Sequence, residues 1–549
     1  MDTPKDFSPT PPNKSGHPSE SRRTLAIISH PDAGKTTLTE KFLLYGGAID
    51  LAGSVTARKN PRSNTSDWME LERQRGISVS STVLQFIYQG YHVNLLDTPG
   101  HQDFSEDTYR VLTAVDAVIM VVDAGKGVEA QTRKLFEICR LRAIPIFTFF
   151  NKMDRPSRPP IELTDEIESV LGIASHPMHW PLGDGPRFRG LIDRHDHRLH
   201  LFERTPHGAF RAPEKVQDIN DPKVFSLVEE EIVDEAAGEL ELIQGAGAPF
   251  DLDRVNKGEM TPVFFGSAAT NFGIQLLLDG FLAMAPPPQG RRSGKNWISP
   301  ADERFSAFVF KIQANMNPKH RDRMAYLRIV SGQFERDMSV HHGDHEKPVR
   351  LSNSQSLFAR ERETVEEAWA GDVVGIVGNH PFRIGDTLAT DPEIRFHEIP
   401  TFPPECFARI RPESTAQMKR FRAGLAQFAS EGVVQVYQLP VGQSTQALYG
   451  AIGPLQFEVL KHRLKSEYDA EAVVEKTAWE LVRWIQIDGE LVDPASNPAG
   501  DLPSGSKLAR DPSGFWVVLA SNEWVLRSIP RYHPDWKLLE APPNAPKTE

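Results

Sequence analysis

The most constraining stretch of this chain is Ser29-His30-Pro31-Asp32-Ala33-Gly34-Lys35-Thr36-Thr37, which joins an apolar run, LAIIS, to a segment with helical spacing, TTLTEKFLLY. A strand that turns into a helix through a glycine leaves the first N–H groups of that helix free to surround an anion. A phosphate chain needs that ring of donors, a glycine where a side chain would collide with it, an ammonium group and a hydroxyl for a divalent metal. Gly34, Lys35 and Thr36 supply the last three in order, while Ser29 stands where the bare pattern has a glycine. A tight turn with a capping threonine is the bland alternative. The placement of Gly-Lys-Thr-Thr at the helix start of a strand–helix unit weighs against it.

The same rhythm recurs in VNLLDTPG, AVIMVVDAG and IPIFTFFNK, which predicts βαβ units around a mostly parallel sheet. Residues 155–260 interrupt it with helical spacing, a strand-like RLHLF and an acidic helix, and read as an insertion that returns to the sheet at TPVFFGSAA. The Pro-rich residues 285–290 form a stiff linker. Short alternating strands follow, FSAFVFKIQ, MAYLRIVSGQF, DVVGIVG and GDTLA, and predict a small antiparallel barrel. A second Pro-rich hinge, HEIPTFPPE, leads into helices over 414–431 and 453–467 and strands VVQVYQL, FWVVLAS and EWVLRSI, an α+β pattern. The expected division is a disordered tail 1–21, an α/β domain 22–288 with its insertion, a β-barrel 289–398, an α+β domain 399–540 and a loose tail 541–549.

Composition limits what such a chain can do. Lys and Arg number 62 against 74 Asp and Glu, a net charge of −12, which excludes gripping nucleic acid through bulk positive charge. No apolar run approaches the roughly 18 residues of a membrane helix. The N-terminus has no basic or apolar signal region. The two cysteines, Cys139 and Cys406, form no metal spacing or disulfide framework, so a cytoplasmic address is expected. No spacing of the histidines outside His101 reads as a metal site.

Three further motifs complete the chemistry. In Asp97-Thr98-Pro99-Gly100-His101 the carboxylate would reach Mg²⁺ through water and the Gly100 N–H would meet a γ-phosphate, with His101 placed to orient an attacking water. In Asn151-Lys152-Met153-Asp154 the carboxylate matches the N1–H and 2-amino groups of guanine; facing adenine it would be left unsatisfied. Lys152 would lie along the base and Asn151 brace the phosphate loop. Gly266-Ser267-Ala268 would offer N–H groups to guanine O6. Between the phosphate loop and Asp97, residues 70–81 occupy the place of a metal-sensing switch, with Ser78 as its candidate Mg²⁺ ligand; an exposed serine before a strand is the equal alternative. The acidic stretch 229–235 reads as a solvated helix face, and Lys319 to Arg323 as a surface turn or an RNA contact. Lys419, Arg420 and Arg422 read as exposed charges beside core aromatics Phe421 and Phe428, with RNA contact as the alternative.

With these motifs in order, the chain resembles the translational GTPases, through Asp32 and Ala33 before GKTT, RGIS, DTPGH and NKMD. More narrowly it resembles the bacterial peptide chain release factor 3 family, through ISHPDAGKTTLTEK, DWMELERQRGISVSS, KIQANMNPKHRDRMAYLRIVSG and GPLQFEVLKHRLKSEY, over residues 25–538. The resemblance implies a GTP- and GDP-binding G domain with Mg²⁺, a barrel and an α+β domain. It implies a ribosome-stimulated GTPase, a monomer that promotes departure of class I release factors from the ribosome after peptide release. Implied partners are the large-subunit RNA, the small subunit and the class I factors, with neither membrane nor DNA. His101 matches the histidine that orients water in that superfamily, and Asp32 the phosphate-loop aspartate that assists it, with a monovalent cation. Ser78 stands where elongation factors have threonine. An elongation factor G-like translocase would need more chain beyond the linker, and a binding protein without turnover would not need His101 and Asp32.

Overall fold

The computed structural model describes residues 16–48, 81–99, 105–203, 214–218, 227–314, 323–343, 347–358, 361–378, 382–399, 402–441, 444–492 and 501–541, with single positions among 9, 11–12, 211–212, 221, 224 and 380. Strands β1 (Arg22–Ser29), β2 (Thr82–Tyr88), β3 (Tyr91–Asp97), β4 (Ala117–Asp123) and β5 (Ile146–Asn151) form the nucleotide-side sheet with Met260–Phe265 and Ala174–Pro177. Their order is β2-β3-β1-β4-β5, then Met260–Phe265 and Ala174–Pro177. All pairs are parallel except β2 with β3.

The alternation of a strand sorts the apolar residues onto two faces. Ala26, Ile28, Val118, Met120 and Val122 pack on one side with Leu112, Leu135 and Phe136, from helices α2 (Ser105–Thr113) and α3 (Ala130–Leu141). Leu25, Ile27, Ile119, Val121, Phe147 and Phe149 pack on the other, against Leu38 and Phe42 of α1 (Lys35–Tyr45) and Leu277 and Phe281 of the helix Ile274–Met284. Each fully buried Val, Leu, Ile, Met or Phe here stabilises the domain by roughly 1.5–3 kcal/mol, and both layers fix β1 where the phosphate loop leaves it.

The insertion contributes its first strand, Ala174–Pro177, to the main sheet; only beyond it does the chain build a separate four-stranded antiparallel sheet. The acidic helix runs Glu230–Ala246. Its acidic residues from Glu229 to Glu235 are exposed while Ile232 and Val233 between them are buried, and Glu239 turns inward to accept the Trp180 indole N–H at 2.7 Å.

The barrel strands are antiparallel, and Ser354–Phe358 joins them to β2. A buried guanidinium fastens this junction. Arg328, 2% exposed, pairs with Asp116 and donates to Thr24 Oγ1 and to the Gly371 carbonyl. The last domain is a nine-stranded sheet that carries the helices Met418–Ser430 and Pro454–Tyr468, packed through Phe421, Leu425, Phe428, Leu460 and Leu464. Lys419, Arg420 and Arg422 lie on the first of these helices and all three are exposed.

Two expectations need correcting. EWVLRSI is not a strand: Glu523–Ser528 is a helix, started by Asn522, whose side chain accepts from the Val525 N–H at 3.0 Å. Val525, Leu526 and Ile529 are buried together, the i, i+4 spacing that a count of β-branched residues overlooks. The end of the expected N-terminal tail is also folded: Pro18–Ser21 form a 3₁₀ turn, Ser19 is buried, and the His17 ring meets Trp369 edge-on at 5.9 Å.

Candidate active site

Strand β1, buried along its whole length, delivers Ser29 to the loop. The chain then turns through Asp32 and Gly34, both left-handed at φ 66° and 99°. Pro31 and Asp32 are exposed, Ala33 is buried, and Thr36 and Thr37 are half-buried in the first turn of α1. Gly34 is the N-cap of α1 and has no side chain with which to cap it, so the helix presents its first N–H groups to a ligand rather than to itself. A Cβ on Gly34 would lie 2.3 Å from Asn151 Nδ2, so only glycine fits this close approach. The Ser29 hydroxyl is buried with no hydrogen-bond partner among the described residues.

Asn151 binds three motifs into one unit. Its Nδ2 donates to the Ala33 carbonyl at 2.7 Å, and its Oδ1 accepts from the Lys152 N–H at 2.8 Å and the Ala268 N–H at 2.9 Å. The Ser267 hydroxyl donates to Asp154 Oδ1 at 2.6 Å, and the Met153 N–H donates to the Gly266 carbonyl at 3.1 Å. Asp154, Ser267 and Ala268 therefore share one end of β5, while the Met153 side chain is fully buried and acts as a spacer.

The phosphate-side charges also meet. Lys35 Nζ lies 2.5 Å from Asp97 Oδ1, with both side chains nearly buried. Thr98 Oγ1 donates to the Ile27 carbonyl at 2.7 Å and Thr108 Oγ1 to the Pro99 carbonyl at 3.3 Å, which fixes the start of the loop after β3. Gly100, His101 and Ser78 lie outside the described residues.

Asp123 has no motif of its own, and Lys152 and His30 make contacts that their motifs do not specify. Lys152 directs its ammonium to Asp123 Oδ2 at 2.8 Å. Burial alone would raise the Asp123 carboxyl, but hydrogen bonds from Lys152 and the Gly125 N–H outweigh it and hold the group below the usual carboxylate range. The clue in sequence is positional: Asp123 ends the strand AVIMVVD and pairs in register with Asn151. His30 is fully enclosed, with Nδ1 3.3 Å from Thr132 Oγ1 and Nε2 3.5 Å from Glu129 Oε2, and burial pushes its pKa down. It braces the loop against α3 as a neutral ring.

The cradle, the ammonium–carboxylate pair and the shared carboxylate end of β5 suit a nucleoside polyphosphate. The elongation factor Tu GTP binding domain family matches residues 20–287, elongation factor G domain 2 matches 304–391, and the class II release factor RF3 C-terminal domain matches 396–530. The chain is 52% identical over 526 residues to a peptide chain release factor 3 from Gloeobacter violaceus, covering 95% of this chain and 98% of that one. It is 50% identical over 519 residues to one from Cyanothece sp., covering 94% and 95%. Another from Symbiobacterium thermophilum is 49% identical over 513 residues, covering 93% and 96%. A solved structure from Thermus thermophilus shares the fold at a TM-score of 0.66, with 22% identity over 89% of this chain and 72% of that one.

Proposed function

The chain belongs to the peptide chain release factor 3 family, and on that premise we propose how its residues divide the work of a GTPase of translation termination. The chain binds guanine nucleotide and hydrolyses GTP to GDP and phosphate. Its role is the GTP-dependent dissociation of class I release factors after the peptide has left. Ribosome and class I factor are the partners this reading requires. Among the described residues no helix is long and apolar enough to cross a membrane.

The observation that carries the site assignment is the Asn151 brace, because it couples the phosphate loop to the base-reading loop through one amide. In the proposal the N–H groups of residues 33–37 hold the phosphates. Lys35 leaves Asp97 for the β and γ oxygens. Thr36 and Asp97 are the groups that would hold Mg²⁺, which when bound neutralises charge on those oxygens. Ser78 is proposed as a further ligand on chemistry alone. Asp154 reads the guanine N1–H and 2-amino group, and Ala268 stands beside O6. His101 orients the attacking water, and Asp32, exposed at the loop apex, assists it.

The base assignment is tested by Asp154→Asn. The expected result is a shift of preference from GTP toward xanthosine triphosphate of about a hundredfold or more, in line with sites whose polar groups lose their partner. Undiminished GTP selectivity in a competition assay would remove Asp154 from the site.

A further inference from the structure

Ser81, at the threshold of β2, has each of its polar groups taken by another element. Its N–H donates to Asp107 Oδ2 of α2 at 2.8 Å. Its carbonyl and its hydroxyl both accept from the ammonium of Lys311, the hydroxyl at 2.8 Å. Lys311 belongs to the barrel strand Ser306–Ala314 and is 5% exposed; a bulge between Val309 and Lys311 shifts that strand against Arg323–Ser331. Bulges re-aim side chains, and this one lies where a barrel residue reaches into the G domain.

A buried ammonium is tolerated only while its hydrogen bonds are made. Displacing Ser81 would break two of them at once, so Lys311 fixes where β2 begins. Thr82, the next residue, stands opposite Asp97 in the β2–β3 ladder, and Asp97 holds Lys35. Asp107 is followed by Thr108, which ties α2 to Pro99. Two residues of chain thus join the barrel, α2 and the phosphate-side ion pair.

We propose that Lys311 is a positioning residue of the nucleotide site, clamping Ser81 against Asp107 so that the barrel helps to set the GTP-bound arrangement. The proposal rests on the GTPase reading above. The α phosphate and the base meet loops that Lys311 does not touch, and the β phosphate meets the clamp only through Asp97 and Lys35, so GDP binding depends on the clamp far less than GTP binding does. A γ-phosphate acts through switch segments beside the phosphate site, and the clamp holds Ser81 at the start of β2 to Asp107 of α2, on the side of the site where that phosphate lies. A contact can bias only the state in which it makes a difference.

The test compares GDP and GTPγS affinities, by displacement of a fluorescent guanine nucleotide, for Lys311→Met, Lys311→Arg, Asp107→Asn and the Met/Asn double variant. Lys311→Met is expected to keep its GDP affinity within about twofold and to lose about tenfold for GTPγS, a typical coupling. Lys311→Arg restores most of that loss. The double variant is no worse than the weaker single, because both act through Ser81. Equal losses for the two nucleotides, a change in melting temperature alone, or losses that multiply in the double variant overturn the proposal. If Lys311→Met does not fold, Asp107→Asn decides: it must weaken GTPγS selectively. Failure of the wild-type chain to bind GTPγS would instead contradict the GTPase reading.

Discussion

At Gly34 a methyl group would approach the Asn151 amide nitrogen to 2.3 Å on a backbone already at φ 99°. Gly34→Ala is therefore expected to leave the fold intact, since Gly34 is half-buried in a surface loop, and to weaken GDP binding by at least about tenfold as the brace is displaced. Titration calorimetry reads the loss; unchanged affinity would mean the loop has slack that this geometry denies. A second single-residue effect lies in the insertion. Burial and the facing Arg194 guanidinium lower the His176 pKa to about 4, with Ala248 O accepting from the ring. An unfolded histidine titrates near 6.5. Below that pH the unfolded chain takes up a proton that the folded chain refuses, so stability declines as pH falls from about 6.5 toward 4 and is unaffected above it. The slope from this one group is at most about 1.4 kcal/mol per pH unit. In urea melts, His176→Phe is expected to flatten the decline between pH 7 and 5; an unchanged slope would reassign it.

Helix α2 carries the loop after β3 to the other domains. Asp107 holds Ser81, Tyr109 meets the Phe402 ring at 4.6 Å between centroids, and Arg110 donates to the Gly432 carbonyl at 3.4 Å. Arg110 also pairs with Glu106, which is buried. Gly432 is left-handed at φ 72°, and a Cβ there would meet Arg110 Nη1 at 2.3 Å. Gly432→Ala is expected to cost about 1–3 kcal/mol of stability, seen as a lower melting temperature. No change would show that Arg110 is not seated on this turn. Elements of this kind mark the limit of reading a sequence. The phosphate loop and the Asn151 to Asp154 motif are legible because their chemistry is packed into consecutive residues. Thr132 and Lys311 are not, since their partners lie on other strands and helices and no local pattern records them; Asp123 shows only as the end of a strand-like run, without its partner Lys152. The helix at Glu523–Ser528 escapes a local reading for a related reason: its buried face, not its β-branched content, decides its form.

On the scale of the whole molecule, the net charge of −12 speaks against a nucleic-acid partner, yet the family works on a particle built largely of RNA. Any contact with that RNA would come from local surfaces and shape rather than net charge, and an acidic surplus limits indiscriminate RNA binding. The domains meet through buried polar groups such as Arg328 with Asp116, and through Arg142 with Glu398 at 2.7 Å. Such junctions hold one arrangement firmly but are lost as a unit when a partner moves away. A chain of this design can couple its site to its outline, and the ribosome is where that coupling matters. The most direct measurement is GTP hydrolysis by the wild-type chain and by His101→Ala, each with and without 70S ribosomes. Wild-type turnover is expected to be stimulated on the order of a thousandfold, with His101→Ala still binding GTP but showing no stimulation. Wild-type turnover indifferent to ribosomes, or full stimulation of the His101→Ala variant, would contradict the GTPase mechanism.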